Sequence, residues 1–274
     1  MIDVNRRVLP GFHLTLGYTL LYLTLLVLIP LLACLFKASS LSLDQFWATV
    51  WTDRARAAYA LTFGAAFVAA LVSAVFGLLI AWVLVRYDVP FKRLFDSLID
   101  LPFALPTAVA GLVYSSLYVK NGWLGQFLVP LGVQGAYSRL AIVLVLIFIG
   151  FPFVVRTVQP VLGDLEAEVE EAAACLGATR LQTFRRVIFP TLFPAVVTGF
   201  TLAFARALGE YGSVVFVSGN MPYKTEIAPV LIVARLEEFA YGEATAIAVV
   251  LLAASGAMLV LINFLERWSS AHVA

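Results

Sequence analysis

Charge is what this chain has least of. Only 13% of its 274 residues are Asp, Glu, Lys or Arg, while 62% are hydrophobic; soluble domains carry roughly 25% charged residues. So little polar surface excludes a soluble globule and makes the chain a polytopic membrane protein. A net charge of +1 gives nucleic acid or a polybasic membrane tether nothing to work with. Cysteine is scarce too. Cys34 stands in an apolar segment and Cys175 in a polar insert, too far apart in any topology to expect a disulfide. The two histidines, His13 and His272, are at opposite ends, and neither a clustered Cys/His set nor His-Glu-x-x-His occurs. A metal site has no support. Gly-x-x-x-x-Gly-Lys-Ser/Thr is missing, so the chain has no P-loop of its own, and ATP with its Mg ion, if used, is bound by another subunit. An intramembrane enzyme would need a nucleophile and a converging base, and neither histidine lies at membrane depth to activate a serine.

What is present is a series of long apolar runs. Leu14 to Phe36, preceded by Arg6 and Arg7, is about 23 residues, enough to cross a hydrocarbon core of roughly 30 Å. With Leu31-Leu32-Ala33-Cys34 it also mimics a lipoprotein signal cut before Cys34, but signal cores run only roughly 7–15 residues and cleavage would leave an odd number of spans. Segments two and four follow at about Ala58 to Val85 and Leu140 to Val155, the latter expected to break at Gly150 and Pro152. Segment three, Leu98 to Val119, holds Pro102, Pro106 and Gly111. It must start late, kink or unwind, and either a proline-rich helix start or a pathway-lining role accounts for that. Segments five and six are Thr191 to Val217 and Ala244 to Leu265, the last closed by Glu266-Arg267-Trp268 at an interface. The expectation is an all-α membrane protein of six transmembrane helices. Residues 1–57 form an N-terminal segment, first span and outer loop, 58–265 the transmembrane domain, and 266–274 a tail.

Six spans put both termini on one side. With them lie Arg6, Arg7, Arg86, Lys92, Arg93, Arg156, Arg180, Arg185, Arg186 and Arg267; opposite lie Lys37, Arg54, Arg56, Lys120, Arg139, Lys224 and Arg235. The positive-inside rule places both termini in the cytoplasm.

Between segments four and five the chain turns polar. Asp164, Glu166, Glu168 and Glu170 suit the positive end of a helix, Ala172 to Ala174 continue it, and Gly177 caps it. Thr179 with Gln182 fits a capping box for a second helix, expected to end near Pro190. The stretch Glu171-Ala172-Ala173, Gly177, then Val187, Phe189 and Pro190 resembles the EAA signature of bacterial ABC importer permeases, with Val187 and Phe189 replacing Ile and Leu. The resemblance implies a type I importer permease fold in which this insert is a cytoplasmic coupling helix. Ala172 and Ala173 would allow close approach to an ATPase subunit and Glu171 would pair with a basic residue there.

Segment five carries Arg206 and Glu210, four apart, with Ser213 continuing the same helix face. An arginine near mid-span facing lipid costs roughly 2.5–3.5 kcal/mol on translocon scales; it must face protein or water. Two roles remain open: an anion pathway given positive potential by Arg206 and moderated by Glu210, or an ion pair locking the helix to a neighbour. Gly209 and Gly212 would admit another helix closely. Thr225 to Phe239 is an amphipathic external stretch that lies on the membrane, packs on the bundle or meets a partner. Val8 to Tyr22, Phe204 to Phe216 and Gly219-Asn220-Met221-Pro222 resemble the T-type permease subunits of sulfate/thiosulfate ABC importers, and the Arg-Ala-Leu-Gly-Glu part is similar in molybdate permeases. That resemblance implies a heterodimer with a W-type permease, a dimer of ATPase subunits, and a periplasmic sulfate- or thiosulfate-binding protein, in a bacterial inner membrane. A molybdate or tungstate permease is the nearest alternative. A secondary anion transporter would show repeated, interrupted helices, and a purely structural subunit leaves the insert unexplained.

Overall fold

The computed structural model describes residues 11–271, with side chains described through residue 264 apart from His13. Arg6, Arg7, His272 and the two chain ends used in the sidedness argument therefore lie outside the described residues. All regular structure within them is helical. Five helices are long and apolar enough to cross a membrane: α1 (Leu14–Ala38), then, after the short α2 (Leu43–Val50), α3 (Asp53–Arg86). Three short pieces follow, α4 (Lys92–Ile99), α5 (Leu101–Ala104) and α6 (Thr107–Tyr118). Then come α7 (Arg139–Gly163), α8 (Ala167–Cys175), α9 (Arg180–Leu208), α10 (Val214–Val217), α11 (Ala228–Glu237) and α12 (Tyr241–Ala271), of which α7, α9 and α12 are the remaining long ones.

The core is the trio α3, α7 and α9, which pack on one another pairwise. Small residues make that possible. Along α3 the buried positions include Ala58, Ala65, Ala66, Ala69, Ala70, Ala74 and Ala81, and small side chains let membrane helices approach backbone to backbone. Val154 of α7, fully buried, sits where the three meet. A Cβ added to Gly77 of α3 would stand 2.8 Å from its Cβ, and one added to Gly199 of α9 would stand 2.7 Å from its Cα. Phe204, Ile142, Leu162 and Leu192 fill the rest. By contrast α1 buries none of its apolar window against the chain and α12 only 11%, so these two form the periphery, touching through residues 29–38 of α1.

Several boundaries differ from expectation, each for a local reason. α7 runs unbroken through Gly150, Pro152 and Pro160 to Gly163. A proline frees only the carbonyl four residues before it, and packing on α3 and α9 holds the helix across that gap. The insert's second helix does not stop at Pro190. It passes through a π turn, Phe184–Ile188, which loosens the hydrogen-bond ladder just before the ring, and continues past Pro190 and Pro194 to Leu208. Segment three is where proline breaks the chain: Leu105, ahead of Pro106, is extended at φ −81°, ψ 132°, as a residue before proline prefers. Its largest piece, α6, has 12 residues, about 18 Å of helix and too short to cross alone. The last helix outruns its expected end, continuing through residues 266–271.

Candidate functional site

The insert forms as its residues dictate. Glu166 is the N-cap of α8, and Glu168 and Glu170 occupy its first turn, where the helix dipole favours acid. At its other end Gly177 lies at φ +81°, a left-handed conformation that costs other residues about 1–2 kcal/mol. The Ala178 N–H bonds to the Ala173 carbonyl at 3.0 Å and the Gly177 N–H to that of Ala174 at 2.9 Å, the two bonds of a Schellman cap. Thr179 and Gln182 then cap α9 reciprocally: the Thr179 N–H donates to Gln182 Oε1 at 2.8 Å and the Gln182 N–H to Thr179 Oγ1 at 3.4 Å. Glu171, Ala172 and Gly177 are exposed and Ala173 half-buried. Leu176 is 89% exposed at the apex, next to Gly177. No residue of α8 is buried.

The four candidate docking residues thus share a protruding helical hairpin whose shape is set by its own capping chemistry. Its connection to the bundle is not local. Arg86, ending α3, pairs with Glu170, and lies over the Trp82 ring. Nearby, Arg156 of α7 grips Asp100 with two hydrogen bonds (2.8 and 2.6 Å) and also meets Asp96 and Gln159. At the far end of the bundle Arg54 holds Glu226, 4% exposed, in a two-pronged pair (2.8 and 2.7 Å), and Thr62 Oγ1 accepts from the Ala228 N–H. The Thr225 to Phe239 stretch therefore packs on the bundle. Arg156 and Gln159 aside, none of these pairs carries a sequence signal, because their members stand 56 to 172 residues apart.

Arg206, Glu210 and Ser213 do come together, though not on one helix face. α9 ends at Leu208, so Arg206 is in its last turn and Glu210 lies in the turn that follows. The break follows from Gly209 and Gly212 combined with a carboxylate that competes for backbone donors. Glu210 is 2% exposed. One oxygen accepts from the Arg206 guanidinium at 2.7 Å and the other from the Ser213 N–H and hydroxyl at 2.8 and 2.9 Å. Arg206 keeps about a third of its side chain exposed. The expected close approach occurs at Gly212, where a Cβ would collide with Thr107 of α6, and not at Gly209, which has open space. Gly111 of α6 abuts the Ser213 backbone, and Ser115 Oγ donates to the Phe216 carbonyl at 2.7 Å. The two interrupted segments of the molecule are thereby packed against each other, which sequence did not foresee.

A bundle of apolar helices carrying a capped, protruding polar hairpin is a membrane-embedded component with an exposed element outside the apolar core. Residues 73–274 match the family of binding-protein-dependent transport system inner membrane components. The chain is 52% identical over 262 residues to the sulfate transport system permease protein CysT of Salmonella typhimurium (96% of this chain, 95% of that one). It is 49% identical to CysT of Escherichia coli K12 with the same coverage, and 52% identical to CysT of Synechocystis over 91% of this chain and 87% of that one. Its fold resembles that of a bacterial ABC transporter importing the acidic polysaccharide alginate, at TM-score 0.77 and 16% identity over 93% of this chain and 94% of that one. It also resembles the MetNI methionine ABC transporter, at TM-score 0.55 and 17% identity over 85% of this chain and all of that one. The chain belongs to the binding-protein-dependent inner membrane components and, among them, to the CysT sulfate permease family. It is a translocation subunit of an ABC importer, not an enzyme, and works with another permease subunit, an ATPase and a periplasmic binding protein.

Proposed function

We propose that this chain forms one half of the path by which sulfate or thiosulfate crosses the bacterial inner membrane, with a W-type permease supplying the other half. The observation that carries the cargo is the match to CysT proteins over nearly the whole chain at about half identity. The insert and both termini face the cytoplasm. Supporting this, Arg86, Lys92, Arg93, Arg156, Arg180, Arg185 and Arg186 gather at the insert's end of the described bundle, the side the positive-inside rule makes cytoplasmic. ATP and Mg are bound by the ATPase dimer, and a periplasmic sulfate- or thiosulfate-binding protein delivers the anion.

In this reading the ATPase takes the hairpin at Glu171, Ala172, Ala173 and Gly177. Closing of the ATPase dimer on ATP draws the two hairpins together and opens the permease pair outward; hydrolysis resets it. Nucleotide moves that equilibrium only through its different affinity for the two states, so a rigid hairpin is a requirement. Arg206 faces the path. Its pairing with Glu210 leaves part of the guanidinium free to attract an oxyanion while preventing tight capture, and Ser213 fixes the carboxylate. Arg206→Ala should lower uptake at least fivefold while the complex still assembles.

The deciding experiment is uptake of labelled sulfate against labelled molybdate into proteoliposomes holding this chain, its permease partner and the ATPase, with the respective binding protein outside. ATP-dependent sulfate uptake is expected. Molybdate uptake alone would keep the architecture and overturn the cargo.

A further inference from the structure

α8 is flanked by glycine on both sides, Gly163 closing α7 and Gly177 at the hairpin's turn, and a Cβ at either would meet open space. With no buried residue in α8, covalent linkage alone would let it pivot on those glycines without moving the helices above. A second tether is present. Glu170, beside Glu171, is paired with Arg86 at the end of α3. The Arg86 guanidinium carbon is 5.6 Å from the Trp82 ring centroid, and Trp82 meets Phe184 edge-on at 5.5 Å. Phe184 opens the π turn of α9. This ion pair is the one that joins α8 to the bundle among the described residues, and its side chains are only 23% and 31% exposed, so solvent screens it less than a surface pair.

We infer that the Arg86–Glu170 pair is the link that passes a displacement of α8 to α3 and, through Trp82 and Phe184, to α9, the helix whose last turn holds Arg206. Docking and transmission are thus separate tasks of adjacent glutamates: Glu171 faces outward to the ATPase and Glu170 inward to Arg86. Both residues act on transport through other groups, as positioning residues. The inference rests on the importer reading above.

The test uses the full complex in proteoliposomes, measuring anion taken up per ATP hydrolysed alongside ATPase retained on purification. Glu170→Gln and Arg86→Gln should each keep the ATPase bound and lower uptake per ATP at least fivefold, and the double variant should be no worse than either single, because both remove one interaction. Exchanging the charges, Arg86→Glu with Glu170→Arg, should recover at least half of the lost coupling, which a merely structural role for either residue alone would not do. Uptake per ATP within twofold of the unaltered complex in Glu170→Gln would overturn the inference. Loss of the ATPase in that variant would also do so, by making Glu170 a docking contact. If Arg86→Gln fails to assemble, Glu170→Gln decides alone, since it removes no buried surface of α8. An unaltered complex without ATP-driven uptake would overturn the importer reading and this inference with it.

Discussion

Glu171, midway along α8, and Glu210, just past the end of α9, are treated oppositely by the molecule. Glu171 is exposed and makes no hydrogen bond or ion pair among the described residues. Glu210 is buried and spends both oxygens, on Arg206 and on Ser213. A carboxylate proposed to meet a partner outside the chain has none within the described residues, whereas the one that holds the broken helix together has both oxygens engaged nearby. The difference teaches that the hairpin is shaped by its own local caps and can present other side chains freely, while the turn after α9 is held by side chains that reach across it.

That contrast is open to attack from both sides. The largest effect should come from Glu210→Ala, which leaves the buried Ser213 donors and a partly buried guanidinium without their acceptor. Removing one partner from such a cluster costs about 3 kcal/mol, so thermal unfolding of the purified complex should begin markedly lower and assembled yield should fall. Unchanged stability would mean the turn is held by packing against α6 alone. Next is Gly177→Val. A β-branched residue at φ +81° is strained by about 1–2 kcal/mol, enough to distort a hairpin with little else to hold it. ATP-driven uptake should drop more than tenfold with the protein still inserted, and full uptake would show that the hairpin's shape is dispensable. The smallest is Thr179→Ala. Losing one N-cap costs about 1 kcal/mol, and α9 is anchored further along by buried Ile188 and Leu192, so hydrogen exchange should quicken at residues 180–183 while uptake falls less than threefold.

Much of this was legible because it is local. Gly177 and the Thr179–Gln182 box lie within a few residues of the groups they cap, so the backbone conformation each requires is written beside it. The five long helices were legible from apolar run length. The prolines were not: Pro106 breaks its segment while Pro152 and Pro160 leave α7 intact, and what separates them is α7's burial between α3 and α9, a non-local fact. The same reason hid the end of α9 at Leu208. An apolar run continues past it to Val217, and only the combined demands of Glu210, Ser213 and the adjoining α6 show where helix gives way to turn.

By itself, then, the sequence determined that this is a multi-helix membrane protein with a capped polar hairpin between two spans, because hydropathy, helix dipoles and left-handed glycine are properties of a few neighbouring residues. The tertiary structure alone decided which helices form the core, which prolines are tolerated, that α6 lies against the Gly209–Val217 stretch, and that Arg86 reaches Glu170, Arg156 reaches Asp100 and Arg54 reaches Glu226. Those outcomes depend on which side chains meet across 56 or more residues of chain. That is set by close packing of small residues such as those along α3, and no short-range pattern records it.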